Sequence, residues 1–148
     1  MTLHLLATAA ALGSGLVAGV FFAFSTFVMK ALARQPPPQG IATMQAINIT
    51  VVNPWFMAAF IGTAVASAIL AVAGSGNPWL AAGAALYVIG CFGVTIALNV
   101  PLNNRLARAE AGSTEAAALW HHYLSRWTLW NHLRTVSAAA ATVAFMLA

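Results

Sequence analysis

Charge is what this sequence has least of. Among 148 residues there are 6 Lys or Arg and 2 Asp or Glu, so 5% are charged, where soluble domains carry about a quarter. A surface clothed for water cannot be built from that supply. The two carboxylates, Glu110 and Glu115, lie in one short region between apolar runs. That placement excludes a carboxylate-bridged di-iron centre inside the apolar spans, which needs several inward-facing Glu side chains, and argues against a carboxylate proton relay. A single cysteine, Cys91, excludes an intramolecular disulfide and any cysteine-pair zinc or iron–sulfur site. No Gly-rich phosphate loop is present. No basic segment precedes the first apolar run, which is long and glycine-rich, so it reads as a retained span rather than a cleaved leader.

What fills the chain instead is apolar: 61% of residues are hydrophobic and mean hydropathy is +0.85. Crossing roughly 30 Å of hydrocarbon takes about 20 residues of helix, and four runs meet that need, at residues 3–32, 55–73, 79–100 and 131–148. The expected fold is all-α: an integral membrane four-transmembrane-helix bundle, one domain over residues 1–148, with amphipathic interfacial helices on the cytoplasmic side. The pI of about 10.3 does not point to nucleic acid, because the basic residues flank spans. Lys30 and Arg34 follow the first, Arg105 and Arg108 the third, and Arg126 and Arg134 precede or open the fourth. The positive-inside rule then makes loops 1–2 and 3–4 cytoplasmic and puts both termini outside, as expected in a bacterial inner membrane.

Breakers set the finer organisation. Arg34 to Gly40 contains three prolines and ends the first span. Apolar residues at Ile41, Met44, Ile47 and Val51 predict a short interfacial helix over 41–52. Asn53-Pro54 marks a restart, Gly74 to Pro78 a compact turn, and Asn99-Val100-Pro101 a bend or break. After Gly112, Ser113 or Thr114 is placed to cap a helix that continues to Ala148. Gly15 and Gly19 stand at GxxxG spacing with Ala11 and Ala23 in the same row. Such a row suits close packing, either inside the bundle or in a homo-oligomer.

The apolar part of the last helix, Leu133 to Ala148, is 16 residues, about 24 Å long. To span, it must draw the preceding WTLWNHLR stretch toward the bilayer. At 100° per residue, Trp120, Tyr123, Trp127, Asn131 and Arg134 share an arc of about 80°, while His121, Thr128 and His132 form a neighbouring stripe. Ser25, Asn48, Asn99 and Asn103 arrive at the same level from the other segments, and polar residues at membrane depth face a bundle interior or a cavity. Simpler accounts stand beside this one. Interfacial anchoring suffices for Trp55, Trp79 and Trp120 singly, snorkelling suffices for Arg126, and Asn99 and Asn103 are placed either to repair the backbone around Pro101 or to bind. His132 carries the usual group for proton transfer near neutral pH. No cofactor is expected. Were copper or iron present, His121 and His132 would be its ligands, because His121 and His122 diverge by about 100°.

Taken together, Gly19 to Ser25 (GVFFAFS), Met44 to Asn48 (MQAIN), Asn53-Pro54, Asn99-Val100-Pro101-Leu102-Asn103 and Trp127-x-x-Trp130-Asn131-His132-x-Arg134 resemble the anthrone oxygenase-like family of small four-span membrane proteins. The resemblance covers nearly the whole chain. It implies a membrane-embedded oxidoreductase that oxidises a small aromatic or lipophilic substrate with dioxygen and needs no dedicated organic cofactor. In that reading His132 is the base, Arg134 and Asn131 hold the developing anion, Tyr123, Trp127 and Trp130 form the aromatic slot, and Ser25, Asn48, Asn99 and Asn103 complete the binding surface. The alternatives are a non-catalytic small-molecule binding or transport module, with Gly15 and Gly19 available to form a homodimer, and a polar layer that only specifies helix packing. The expected partners are the bilayer and a small lipophilic ligand.

Overall fold

Three of the five helices begin at a proline, whose missing N–H costs nothing in a first turn. The computed structural model describes residues 2–148. In it α1 runs Thr2–Ala33, α2 Pro37–Thr50, α3 Pro54–Ala73, α4 Pro78–Ala107 and α5 Thr114–Met146, and the described residues contain no strand. Asn53 and Asn77 cap α3 and α4: Phe56 N–H donates to Asn53 Oδ1 at 3.0 Å and Trp79 N–H to Asn77 Oδ1 at 2.9 Å. Ser113 caps α5, accepting from Ala116 N–H at 3.1 Å. These are first-turn donors that the helix itself leaves unpaired.

Three helices, α1, α3 and α4, are long and apolar enough to cross a membrane. Among the described residues there are five helices, and the short interfacial helix expected over 41–52 is α2. It starts at Pro37 instead, with Pro37 and Pro38 in its first turn, so the proline run begins this helix as well as ending α1. The expected fourth span is the continuation of a single 33-residue helix, about 50 Å long.

Pro101 does not break α4. Two π-helical stretches, Leu86–Gly93 and Thr95–Asn99, precede it, and Val100 N–H bonds to Thr95 O, five residues back. An α-helical turn would press the proline ring onto the carbonyl four residues earlier; the wider turn takes up that clash and the helix continues to Ala107. A third π stretch, Phe24–Val28, lies within α1. Such widened turns are rare and gather at functional sites.

The helices α1 and α4 both run antiparallel to α5. Gly15 lies opposite Thr142 and Ser25 opposite Thr135, while Gly90 faces Ser137 and Asn103 meets Tyr123. Asn77 Nδ2 donates to Ala148 O at 3.2 Å, so the α3–α4 turn and the end of α5 share one end of the bundle. At that end small residues pack: a β-carbon on Gly13 would collide with the Thr63 hydroxyl, and one on Gly90 would sit 2.5 Å from Ser137 Oγ. The Gly15/Gly19 row is not a single contact stripe, since a β-carbon on Gly15 would meet Thr142 while one on Gly19 would enter open space. At the opposite end a second core gathers Met29, Ile41, Met44, Leu106, Trp120 and Tyr123 around α2.

Candidate functional site

Between the two cores lies a cavity of about 550 Å³ to which all five helices contribute. Its apolar walls are Phe21 and Phe24 from α1, Phe56 and Phe60 from α3, and Met44 and Ile47 from α2. Phe56 and Phe60, one turn apart, stack at 5.9 Å with 8° between planes, and Phe21 meets Phe60 edge-on at 6.3 Å. The polar groups sit on the α4–α5 side: Thr95, Asn103, Trp127 and Arg134, with Asn48 opposite on α2.

Arg134 is 5% exposed. Its guanidinium lies between two rings, 3.9 Å from the Phe21 centroid and 4.8 Å from that of Trp127, an arrangement in which π faces attract a cation. Nε donates to Asn131 Oδ1 at 2.9 Å and Nη1 to Thr95 Oγ1 at 3.3 Å. Neither partner is charged. The carboxylates of Glu110 and Glu115 are both exposed, and no ion pair reaches this guanidinium among the described residues. A cation that costs so much to desolvate therefore borders the cavity without an anion, with N–H donors left over from its five.

What fixes Arg134 is a closed ring of bonds. Asn131 Nδ2 donates one proton to Phe21 O at 2.7 Å and the other to Ser25 Oγ at 2.6 Å. Thr135 Oγ1 donates to Asn131 O at 2.6 Å, so the Ser25 hydroxyl, 3.2 Å from Thr135 Oγ1, must be the donor in that pair. Ser25 occupies the π stretch of α1, and Phe21 O lies just before that widened turn. Both amide protons of Asn131 are thereby used and its Oδ1 accepts from Arg134, so this fully buried side chain has no donor left for a ligand.

Asn103 is the reverse case. Its Oδ1 accepts from Tyr123 Oη at 2.8 Å and from Trp127 Nε1 at 2.9 Å, which leaves its amide N–H groups free at the cavity wall. Burial raises the Tyr123 phenol above its ordinary range, so it stays protonated and keeps donating. Asn48 Nδ2 is buried with no partner among the described residues, as is Asn99 Oδ1, while Asn99 Nδ2 ties α4 to Trp127 O at 3.2 Å. Gln45 Nε2 donates to Leu106 O and Ala109 O at 2.8 and 3.1 Å, anchoring α2 to the end of α4. Arg134, Asn103 and Asn48 each bring an unengaged N–H donor to the cavity.

A model of the anthrone oxygenase family matches residues 49–144. The chain belongs to the anthrone oxygenase family. Comparison with curated proteins and with solved structures gives no match. The anthrone oxygenase match takes in α3, α4 and nearly all of α5, and with them Thr95, Asn103, Trp127, Asn131 and Arg134; the α1 and α2 walls lie outside it.

Within this anthrone oxygenase family fold, the expected site residues divide into three groups. Asn48, Asn103, Trp127 and Arg134 border the cavity. Ser25, Asn99, Tyr123 and Asn131 stand behind them and fix their positions. The structure does not bring His132 or Trp130 to the cavity. His132 is exposed, because the residue after Asn131 turns about 100° away on a helix, and Trp130 lines a separate groove between α4 and α5. His121 is exposed too, and no group of three or more His, Cys, Asp or Glu suited to a metal occurs among the described residues. Residue reasoning missed Phe21, Phe24, Phe56, Phe60 and Thr95. The i, i+3 and i, i+4 spacing of the phenylalanines is a signal, but an apolar chain repeats it on faces that meet lipid.

Proposed function

We propose that this chain is a membrane-embedded oxidoreductase of anthrone oxygenase type, whose cavity takes a flat aromatic C–H acid and stabilises its anion. The observation that carries the reading is Arg134, a buried cation with no anionic partner, clamped between rings at the wall of an aromatic cavity. An anthrone loses a proton from the carbon between its rings to give an anion whose charge rests largely on oxygen. Arg134, Asn103 and Asn48 offer donors for that oxygen, and preorganised donors aimed at developing charge are the usual source of such stabilisation. The cavity holds no His, Asp or Glu, so the chain's contribution is to bind the ionised form rather than to abstract the proton. With dioxygen as oxidant the methylene becomes a carbonyl, one oxygen atom enters the product and the other leaves as water.

In this reading α5 is the fourth span, crossing with its Leu133 to Met146 half. The α1–α2 and α4–α5 connections, flanked by Lys30, Arg34, Arg105 and Arg108, face the cytoplasm, and both termini lie outside. Oxygen uptake by detergent-purified protein supplied with an anthrone is the test. Uptake above the rate of uncatalysed autoxidation, lost in Arg134→Gln, supports the reading; a rate equal to autoxidation rejects it. The absence of a titratable base from the wall favours a second reading, non-catalytic binding of an aromatic anion, for which ligand binding without oxygen uptake is the signature.

A further inference from the structure

The groove that receives Trp130 lies on the outer surface between α4 and α5, with a volume of about 300 Å³. From α5 it takes His122, Arg126 and Trp130, each four residues apart, which share an arc of about 80° beside the face that borders the central cavity. From α4 it takes Arg105 together with Leu98 and Leu102. Because the two helices run antiparallel, these residues are ordered by depth. Arg105 and His122 stand at the end near the α4–α5 connection, Arg126 is in the middle, and Trp130 and Leu98 lie toward the bundle centre.

We infer that this groove binds the phosphodiester headgroup of an anionic phospholipid, with the two guanidiniums and the imidazole on the phosphate and the first acyl carbons along Leu98, Leu102 and the Trp130 ring. No hydrogen bond occupies either guanidinium among the described residues, and guanidinium forks match phosphate oxygens. Glu115, the one carboxylate on α5, precedes Arg126 by roughly 16 Å along the helix, and neither it nor Glu110 lines the groove. Tryptophan at the boundary between headgroup and acyl depth suits the amphipathic indole, and basic pockets between spans on the cytoplasmic side are a recurring form of anionic-lipid site. A free phosphate would use the same basic groups but not the apolar floor. The site requires that α4 and α5 lie in a bilayer and is independent of any chemistry in the central cavity.

The test is native mass spectrometry of the detergent-purified full chain titrated separately with phosphatidylglycerol, phosphatidylcholine and inorganic phosphate. Phosphatidylglycerol should bind preferentially, and the Arg105→Gln/Arg126→Gln double variant should bind it about thirtyfold more weakly, while Arg126→Lys keeps most of the affinity. Both arginines are exposed, so an unchanged melting temperature in the double variant accompanies the expected loss; a melting temperature that falls while Arg126→Lys also loses the lipid overturns the proposal. Quenching of tryptophan fluorescence by phosphatidylglycerol brominated near the headgroup should shrink in Trp130→Phe. Equal retention of the two lipids, equal binding by the double variant, or phosphate displacing the lipid at equal concentration would each overturn it. Extraction of the protein into the membrane fraction tests the bilayer placement separately.

Discussion

The two ends of the bundle solve opposite packing problems. Around Gly13, Gly83 and Gly90 the helices approach until a single added carbon would strike Thr63, Phe145 or Ser137, and the neighbouring core is rich in alanine, at Ala7, Ala10, Ala138 and Ala141. At the other end the buried residues include Trp120, Tyr123 and Trp127, yet a 550 Å³ space remains beside them. On its α4–α5 side the wall is fixed by hydrogen bonds: Trp127 and, behind it, Tyr123 both donate to Asn103. Helices in lipid associate by van der Waals contact and hydrogen bonds because burial from water does not drive them. One end uses the first and the other leans on the second.

The contrast can be broken most severely at Arg134. Arg134→Gln should lower oxygen-dependent turnover of an anthrone, or affinity for an aromatic anion, by about two orders of magnitude, near 3 kcal/mol. Thermal stability should hold, since the change removes an uncompensated buried charge. Steady-state oxygen uptake and a melt in the same detergent read the two sides of that expectation. Next comes Asn131→Ala, which deletes three side-chain bonds. At roughly 0.6 kcal/mol each in a membrane bundle the loss is about 2 kcal/mol of stability, and ligand affinity should fall as well because Arg134 loses its Nε partner; retained affinity would show that Arg134 is held without it.

At the tight end, Gly90→Ala presses a methyl group against Ser137, and the expected cost is about 1 kcal/mol with ligand binding unchanged. A variant that lost binding while keeping its melting temperature would erase the distinction between the two ends. The smallest effect is expected at His132. His132→Ala should change stability by no more than about 0.5 kcal/mol and leave turnover intact, as its side chain is outside the bundle. A pH-rate profile that loses a limb in this variant would return the imidazole to the chemistry.

Much of this arrangement was legible in residue order. The restart at Asn53-Pro54, the turn closed by Asn77 and Pro78 and the cap at Ser113 follow from local backbone chemistry, and the structure realises each. The projection of Trp120, Tyr123, Trp127, Asn131 and Arg134 onto one face also holds: all five are buried, because α5 is a regular α-helix throughout. His132 was singled out for the chemistry of its ring, and direction decided against it. The aromatic wall was illegible for another reason. Phe22 and Phe27 are 58% and 60% exposed, and in an apolar chain nothing distinguishes them by type from Phe21 and Phe24 on the cavity. The π turns escaped as well, since widening a turn by one residue leaves no mark on hydropathy; yet it shifts the angular register of Asn103 relative to a uniform helix, and with it which atoms meet α5.

The ring of bonds through Asn131 also bears on how heat and disorder enter binding. An arginine side chain carries about 2 kcal/mol of rotamer entropy, and a free one would lose most of it when a ligand arrives. Here Thr95, Asn131 and the two flanking rings already hold the guanidinium, so that loss belongs to folding. A ligand anion meets a cation that is already still, and binding measured across temperature should carry little of the unfavourable entropy that capture by a mobile arginine would bring.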